Sequence, residues 1–253
     1  MAMDKFIFTA MNTVNNIYDN RSVRAQNMAN ISVPGYRRDL GTKSAGTAFP
    51  DMINSFQSRG FALKDDNNVF ESTPGQLSQT NEAMDIAIRG DGYFFVKGQG
   101  DVSLTRRGDL SLDNEGFLVN GSKAKLLDAG LNPIKIPANR SITFSENGEI
   151  IIEPVGAEAG TRQLVGQVAM TSATYIKLKK FPDGEIRAVD GKIPEIDQKP
   201  RVIQHNVELS NVNITEELVN SIEDQRQYEI NIKLISTAQE LDEGTSSLMR
   251  LPN

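Results

Sequence analysis

The chain predicts an α+β protein: long N- and C-terminal α-helices paired as a coiled-coil-like domain, a central all-β domain, and an extended connector. Three observations carry this. Residues 1–33 and 201–243 contain neither glycine nor proline, whereas nineteen of the twenty glycines lie between Gly35 and Gly191. Glycine and proline interrupt helices and supply the dihedrals of turns, so the two ends read as helix and the middle as turn-rich β structure. The ends also carry apolar residues at helical spacing, and the middle carries repeated Asx-Gly and Asx-x-Gly turn signals between short apolar runs.

In order along the chain, residues 1–33 form the first helix. Ile7, Met11, Val14, Tyr18, Arg21, Ala25 and Met28 recur at alternating spacings of four and three, an apolar seam with one charged position. Residues 34–80 are polar over most of their length and predict an extended connector. Residues 81–207 predict the β domain. Turns are expected at Gly90-Asp91-Gly92, Asp113–Gly116, Glu146–Glu149 and Pro182–Glu185, each read as a hairpin between strands. Residues 208–253 predict the second helix, opened by Asn213 as a cap with Glu216 and Glu217 in its first turn, and stopped at Gly244. Its apolar rows are Leu218, Ile222, Tyr228, Ile232, Ile235 and Ile230, Leu234, Ala238, Leu241. Residues 1–40 sum to +2 and residues 205–253 to −6, which suits pairing of the two ends.

Composition excludes most chemistry. With 27 basic and 33 acidic side chains the net charge is −6, unfavourable for a broad nucleic-acid footprint. There is no cysteine, and the single histidine, His205, leaves neither a thiolate nor a Ser-His-Asp arrangement to build. The Gly90-Asp91-Gly92 run lacks the rest of a dinucleotide fingerprint, and Asp65-Asp66-Asn67-Asn68 lacks calcium-loop spacing. The basic pairs Arg106-Arg107 and Lys179-Lys180 read as solvated faces. No catalytic residue, cofactor or metal site is expected, and no apolar run is long enough to span a membrane. The first twenty residues show no secretory signal pattern.

The expected working residues are therefore contacts. Met11, Val14, Tyr18, Ala25 and Met28 are expected to pack against Leu218, Ile222, Ile232 and Leu234, or against their copies in other subunits, with Arg226 and Tyr228 adding polar or stacking contacts. A joint is expected at Asn27, Asn30, Pro34, Gly35 and Tyr36, matched near the second helix by Asn211 and Asn213. Proline drives Val33 into an extended conformation, glycine permits a sharp exit, and the asparagine amides can satisfy backbone groups at the helix end.

Four motifs resemble the flagellar axial proteins of bacteria, the rod and hook family: AQNMANISVPGYRR (25–38), AMDIAIRGDGYFFV (83–96), TRRGDLSLDNEGFLVNG (105–121) and SNVNITEELVNSIEDQRQYEINIKLISTAQEL (210–241). Within the family, the N-terminal opening and moderate length resemble members of the proximal rod. The resemblance implies a structural subunit of the basal body that assembles helically with copies of itself and other rod proteins to transmit torque from motor to hook. It further implies export through the flagellar type III apparatus without a cleaved signal peptide, a periplasmic position, and contact with surrounding ring proteins, but no nucleic acid. A distal-rod or hook-type axial protein is the neighbouring reading. A rod-associated peptidoglycan hydrolase is the reading from a different class, and it requires a partly buried carboxylate in a cleft.

Overall fold

A computed structural model describes residues 2–41, 69–98, 100–158, 160–181 and 183–249. The middle of the expected connector, 42–68, lies outside them, as does the Asp65–Asn68 run. Among the described residues there are fifteen strands and two helices, α1 (Ala2–Ala29) and α2 (Ile214–Met249). The chain divides into two compact units. One holds both helices, with residues 1–29, 39–69 and 213–253; the other holds residues 30–38 and 70–212.

The expected fold class is corrected by this architecture. The protein is mostly β in its elements, with a helix at each terminus, and it is not an α+β protein whose helices form a coiled-coil-like domain. The seam shows why. Met11, Tyr18 and Ala25 are exposed on α1, and Leu218, Ile222, Ile232 and Leu234 on α2. The buried positions lie elsewhere: Ala10, Ile17 and Asn27 on α1, and Glu217, Asp224 and Ala238 on α2. On α1 the observed stripe is displaced by one residue, about 100°, from the apolar row, and a coiled coil needs that row at its centre. The helices meet through polar contacts from Arg24 and Asn27 to Glu217 and Asp224, with one aromatic pair, Tyr18 with Tyr228. Asn213 caps α2, accepting hydrogen bonds from the amides of Thr215 and Glu216 at 3.0 and 3.3 Å. Gly244 does not end α2, which runs on to Met249; a single glycine costs a helix only about 1 kcal/mol.

The β unit is built around β3 (Tyr93–Lys97). It pairs antiparallel with β4 (Val102–Thr105) and β7 (Lys125–Leu126), and also with the short β11 (Met170–Thr171). The sheet continues through β6 (Leu118–Asn120) to β5 (Leu110–Leu112) on one side, and from β4 through β13 (Ile186–Ala188) to β12 (Leu178–Lys180) on the other. β3 reads YFFV without polar alternation because both of its faces are covered. Phe94 and Val96 join the larger core with Leu118, Leu126, Ile150 and Met170, while Tyr93 and Phe95 join a second core with Leu104, Leu127 and Ile186. A second sheet orders β8 (Asn139–Phe144), β9 (Glu149–Pro154) and β10 (Gln163–Gln167). Two further pairs, β2 (Ile86–Arg89) with β14 (Arg201–Gln204) and β1 (Leu77–Gln79) with β15 (Asn206–Glu208), draw the late chain onto its beginning.

Three of the expected turns join paired strands: Asp113–Gly116 between β5 and β6, Glu146–Glu149 between β8 and β9, and Asp183-Gly184 between β12 and β13. The Gly90-Asp91-Gly92 turn is not a hairpin, because β2 pairs with β14 while β3 belongs to the large sheet. It is a corner between sheets. A Cβ on Gly92, whose φ is +137°, would stand 2.5 Å from the Pro200 ring.

Candidate functional site

The segment leaving α1 is held by polar contacts that no local pattern announces. Two turns follow the helix, with Val33 N–H donating to the Asn30 carbonyl and Tyr36 N–H to the Val33 carbonyl. Pro34 and Gly35 occupy the middle of the second, and Gly35 takes φ +67°, the arrangement of a type II turn. A Cβ on Gly35 would lie 2.4–2.6 Å from the backbone of Arg106 and Arg107, so close approach and dihedral both demand glycine.

Beyond the turn the chain is pinned residue by residue. Gly35 N–H donates to the Glu208 carbonyl at 2.7 Å, and Asn211 N–H donates to the Tyr36 carbonyl at 3.3 Å. The Asn211 side chain accepts from Arg38 N–H at 2.6 Å and donates to the Glu71 and Thr73 carbonyls. Lys180, at the end of β12, is buried. Its Nζ donates to the Arg37 carbonyl at 2.8 Å and stands 3.5 Å from the centre of the Tyr36 ring.

At the centre lies a buried ionic knot. The side chains of Arg37, Arg106 and Glu208 are each at most 2% exposed. Glu208 takes Arg37 on one carboxylate oxygen at 2.9 Å and Arg106 on the other, and accepts the Gly75 amide as well. Arg106 also donates to the carbonyls of Gly92 and Ile88, and Arg37 donates to that of Thr73. Burial pulls the Arg37 guanidinium below its ordinary pKa and the Glu208 charge only partly offsets this, while burial pushes the Tyr93 hydroxyl up. The hydrogen bonds consume both carboxylate oxygens, so the knot orders backbone and offers no free base.

The helical unit has its own polar contact. Asn27 is buried; its amide exchanges bonds with the Asp39 backbone, both at 2.9 Å, and donates to Glu217 at 3.2 Å. Arg24 meets Asp224 at 2.6 Å and Glu217 at 3.6 Å. Tyr18 meets Tyr228 edge to face, their centroids 5.7 Å apart.

The expected contact residues thus fall into three groups. Pro34, Gly35, Tyr36 and Asn211 meet in the pinned exit, and Asn30 closes its first turn. Asn27, Tyr18, Tyr228 and the cap Asn213 serve the helix pair. Met11, Ala25, Leu218, Ile222, Arg226, Ile232 and Leu234 are exposed, and Val14 and Met28 are half-buried. The reading of Arg106 and Lys180 as solvated is corrected: both are buried and both anchor the exit. Glu208 and Asp224 carry no sequence expectation, and Glu217, expected only as an acid in the first turn of the second helix, is buried against α1. Their partners lie 102 or more residues away in sequence, and alternation along β15 would turn Glu208 outward beside the buried Val207, so no local signal announces its burial.

Buried charges spent on fixing backbone, and terminal helices carrying exposed apolar rows, define a scaffold subunit. Residues 203–248 match the family described as flagellar basal body rod FlgEFG protein C-terminal, and residues 87–152 the flagellar hook protein FlgE/F/G D1 domain. The chain is 29% identical to the flagellar basal-body rod protein FlgF of Escherichia coli, covering 93% of this chain and 94% of that one. It is 27% identical to FlgF of Salmonella typhimurium over 98% and 100% of the two chains. It is 30% identical to the flagellar basal-body rod protein FlgG of Buchnera aphidicola over 90% and 94%. The chain belongs to the flagellar basal-body rod proteins, a family of structural subunits, and within it the chain resembles both FlgF and FlgG members.

Proposed function

We propose that the chain is a subunit of the proximal rod, assembling helically with copies of itself and with other rod proteins to carry torque from motor to hook. It works without catalysis, reaches its place through the flagellar type III apparatus, and stands in the periplasm among the ring proteins. The domain plan that serves this reading is the one drawn along the chain: an axial segment in 1–33 that contains α1, a connector in 34–80 that ends on β1, a β domain in 81–207 and a second axial segment in 208–253 that contains α2.

One observation carries the proposal. α2 turns its polar side, Glu217 and Asp224, toward α1 and leaves apolar residues on the other side. At 100° per residue Ile214, Leu218, Ile222 and Ile232 share one side of the helix and Val219, Ile230, Leu234 and Leu241 the adjoining one. All eight are exposed in the single chain. A helix of this kind gains about 25 cal/mol for each Å² it buries, and neighbouring subunits can supply the cover. Contacts that repeat without closing a ring generate a helical shaft. The exit pinned through Gly35, Arg37 and Lys180 fixes residues 35–38 to strands of the β unit.

Ile222→Asp tests this. The residue is 71% exposed, so folding of the single chain is expected to survive unchanged while rod assembly and swimming are lost. Normal swimming by the variant would overturn the proposal. The resemblance to FlgG keeps a distal-rod position as the second reading, and the location of this chain in an electron-microscopy map of the basal body decides between them.

A further inference from the structure

β4 and β13 pair at one position only, Ile186 with Leu104, and then part. The parting opens a cleft of about 720 Å³ in the β unit, the size of a site for a short peptide or small ligand. The buried Phe95, Leu104 and Ile186 underlie it, and the half-buried Val102 and Phe181 with the exposed Ile193 give its accessible apolar lining. Ile193 is exposed at its mouth, flanked by the solvated amines of Lys97 and Lys192, with Asp101 as the acidic residue of the lining. Arg187 Nη2 is held by Asp183 and Glu185 at 2.7 and 3.2 Å, which offsets its charge although its buried Nε has no partner, so among the described residues the two lysines carry the exposed positive charge of the mouth. The cleft therefore fits an apolar side chain flanked by carboxylates.

The same chain carries such a segment. Residues 153–158 read EPVGAE and turn outward at the end of β9. Val155 is 62% exposed, Glu158 is exposed, and Gly156 has no atom within 4 Å of the place a Cβ would take. We propose that the cleft between β4 and β13 receives the 153–158 turn of a second copy, Val155 entering the apolar lining and Glu158 facing Lys97 and Lys192. The contact is heterologous, cleft to turn, and propagates from copy to copy without closing. It rests on the reading that copies assemble, and adds a second site to that assembly. By itself the contact is small and weak, and it gains strength when the helices already hold neighbouring copies together.

A synthetic peptide of residues 152–158 titrated into the isotopically labelled full chain reads the cleft without requiring assembly. Amide shifts are expected at the residues lining the cleft, with affinity in roughly the millimolar range of a single small contact. Ile193→Asp and Lys192→Glu are each expected to weaken it about tenfold, the loss of one central anchor or one complementary charge. No shift at millimolar peptide, shifts located elsewhere, or equal shifts from a peptide carrying Asp in place of Val155 would overturn the proposal; the last outcome would leave a non-selective cationic surface. In isolated basal bodies, Val155→Cys combined with Ile193→Cys is expected to give disulfide-linked copies, and their absence counts equally against it. Loss of assembly in Ile222→Asp concerns the helices alone, so the two readings fail separately.

Discussion

The two units solve burial in opposite ways. In the β unit the interior is apolar: Phe94, Phe95, Val96, Leu118 and Leu126 are fully buried, and of its buried charges Arg37, Arg106 and Glu208 meet in one knot while Lys180 is spent on the Arg37 carbonyl beside it. In the helical unit the positions facing the partner helix include Asn27, Glu217 and Asp224, while most isoleucines and leucines of α2 stand in water. Deep apolar burial makes a unit stable alone, as large-to-small substitutions in such cores show. A polar contact between helices contributes little net stability but selects one arrangement, and leaves the apolar residues to drive something else. The comparison separates a unit that is complete in one chain from a unit that completion by neighbours would finish.

The largest expected effect comes from opening the knot. Glu208→Gln leaves Arg37 and Arg106 buried without a counter-charge and is expected to cost the β unit about 3–5 kcal/mol, read by denaturant unfolding. Replacing all three by apolar residues of similar size is expected to recover most of that loss, and failure to recover would mean the hydrogen bonds to Gly75, Gly92 and Thr73 matter more than the charges. Gly35→Ala is next, at about 1–3 kcal/mol for the left-handed dihedral alone, with the clash against Arg106 added. Asn27→Ala is expected to cost about 1–3 kcal/mol in the helical unit, seen as faster hydrogen exchange in α2 with the β-unit amides unchanged. Exchange rising equally in both units would erase the contrast drawn above.

Acid gives a smaller effect. Burial works to raise the carboxyl of Asp113, but the amides of Phe117 and Glu115 outweigh it and hold the group below its usual value. Asp197 behaves alike, with Ser172 and the Lys199 amide outweighing burial. A depressed folded pKa contributes stability that is present above the unfolded value near 4 and lost as pH falls through the folded one. Unfolding midpoints measured below about pH 4 are therefore expected to fall less steeply in Asp113→Asn and Asp197→Asn than in the parent. Ile222→Asp stands last on this scale, within about 0.5 kcal/mol for the single chain.

What was legible in the sequence follows the range of the interactions. The cap at Asn213, the Pro34-Gly35 exit and the Asx turns are local, and their residue types announce them. The turn at Gly90–Gly92 was misread because the same glycines serve a hairpin and a corner, and only strand partners distinguish the two. The partner of the helical seam is not legible for a related reason: periodicity shows which residues share a face, not whether that face meets a helix of the same chain or of a copy. The Arg37–Glu208–Arg106 knot was invisible, since nothing in a basic pair at Arg106-Arg107 marks one arginine as buried.

The knot also sets an order of events. Arg37, Arg106 and Glu208 come from the beginning, middle and end of the chain, so the exit from α1 cannot lock until residue 208 is in place. Contacts this distant in sequence form late and reward the chain only once its loops have closed. A molecule truncated before β15 holds Arg37 and Arg106 without the Glu208 carboxylate that receives them. The joint thereby acts as a check on completeness: only a finished chain has a rigid shoulder to offer.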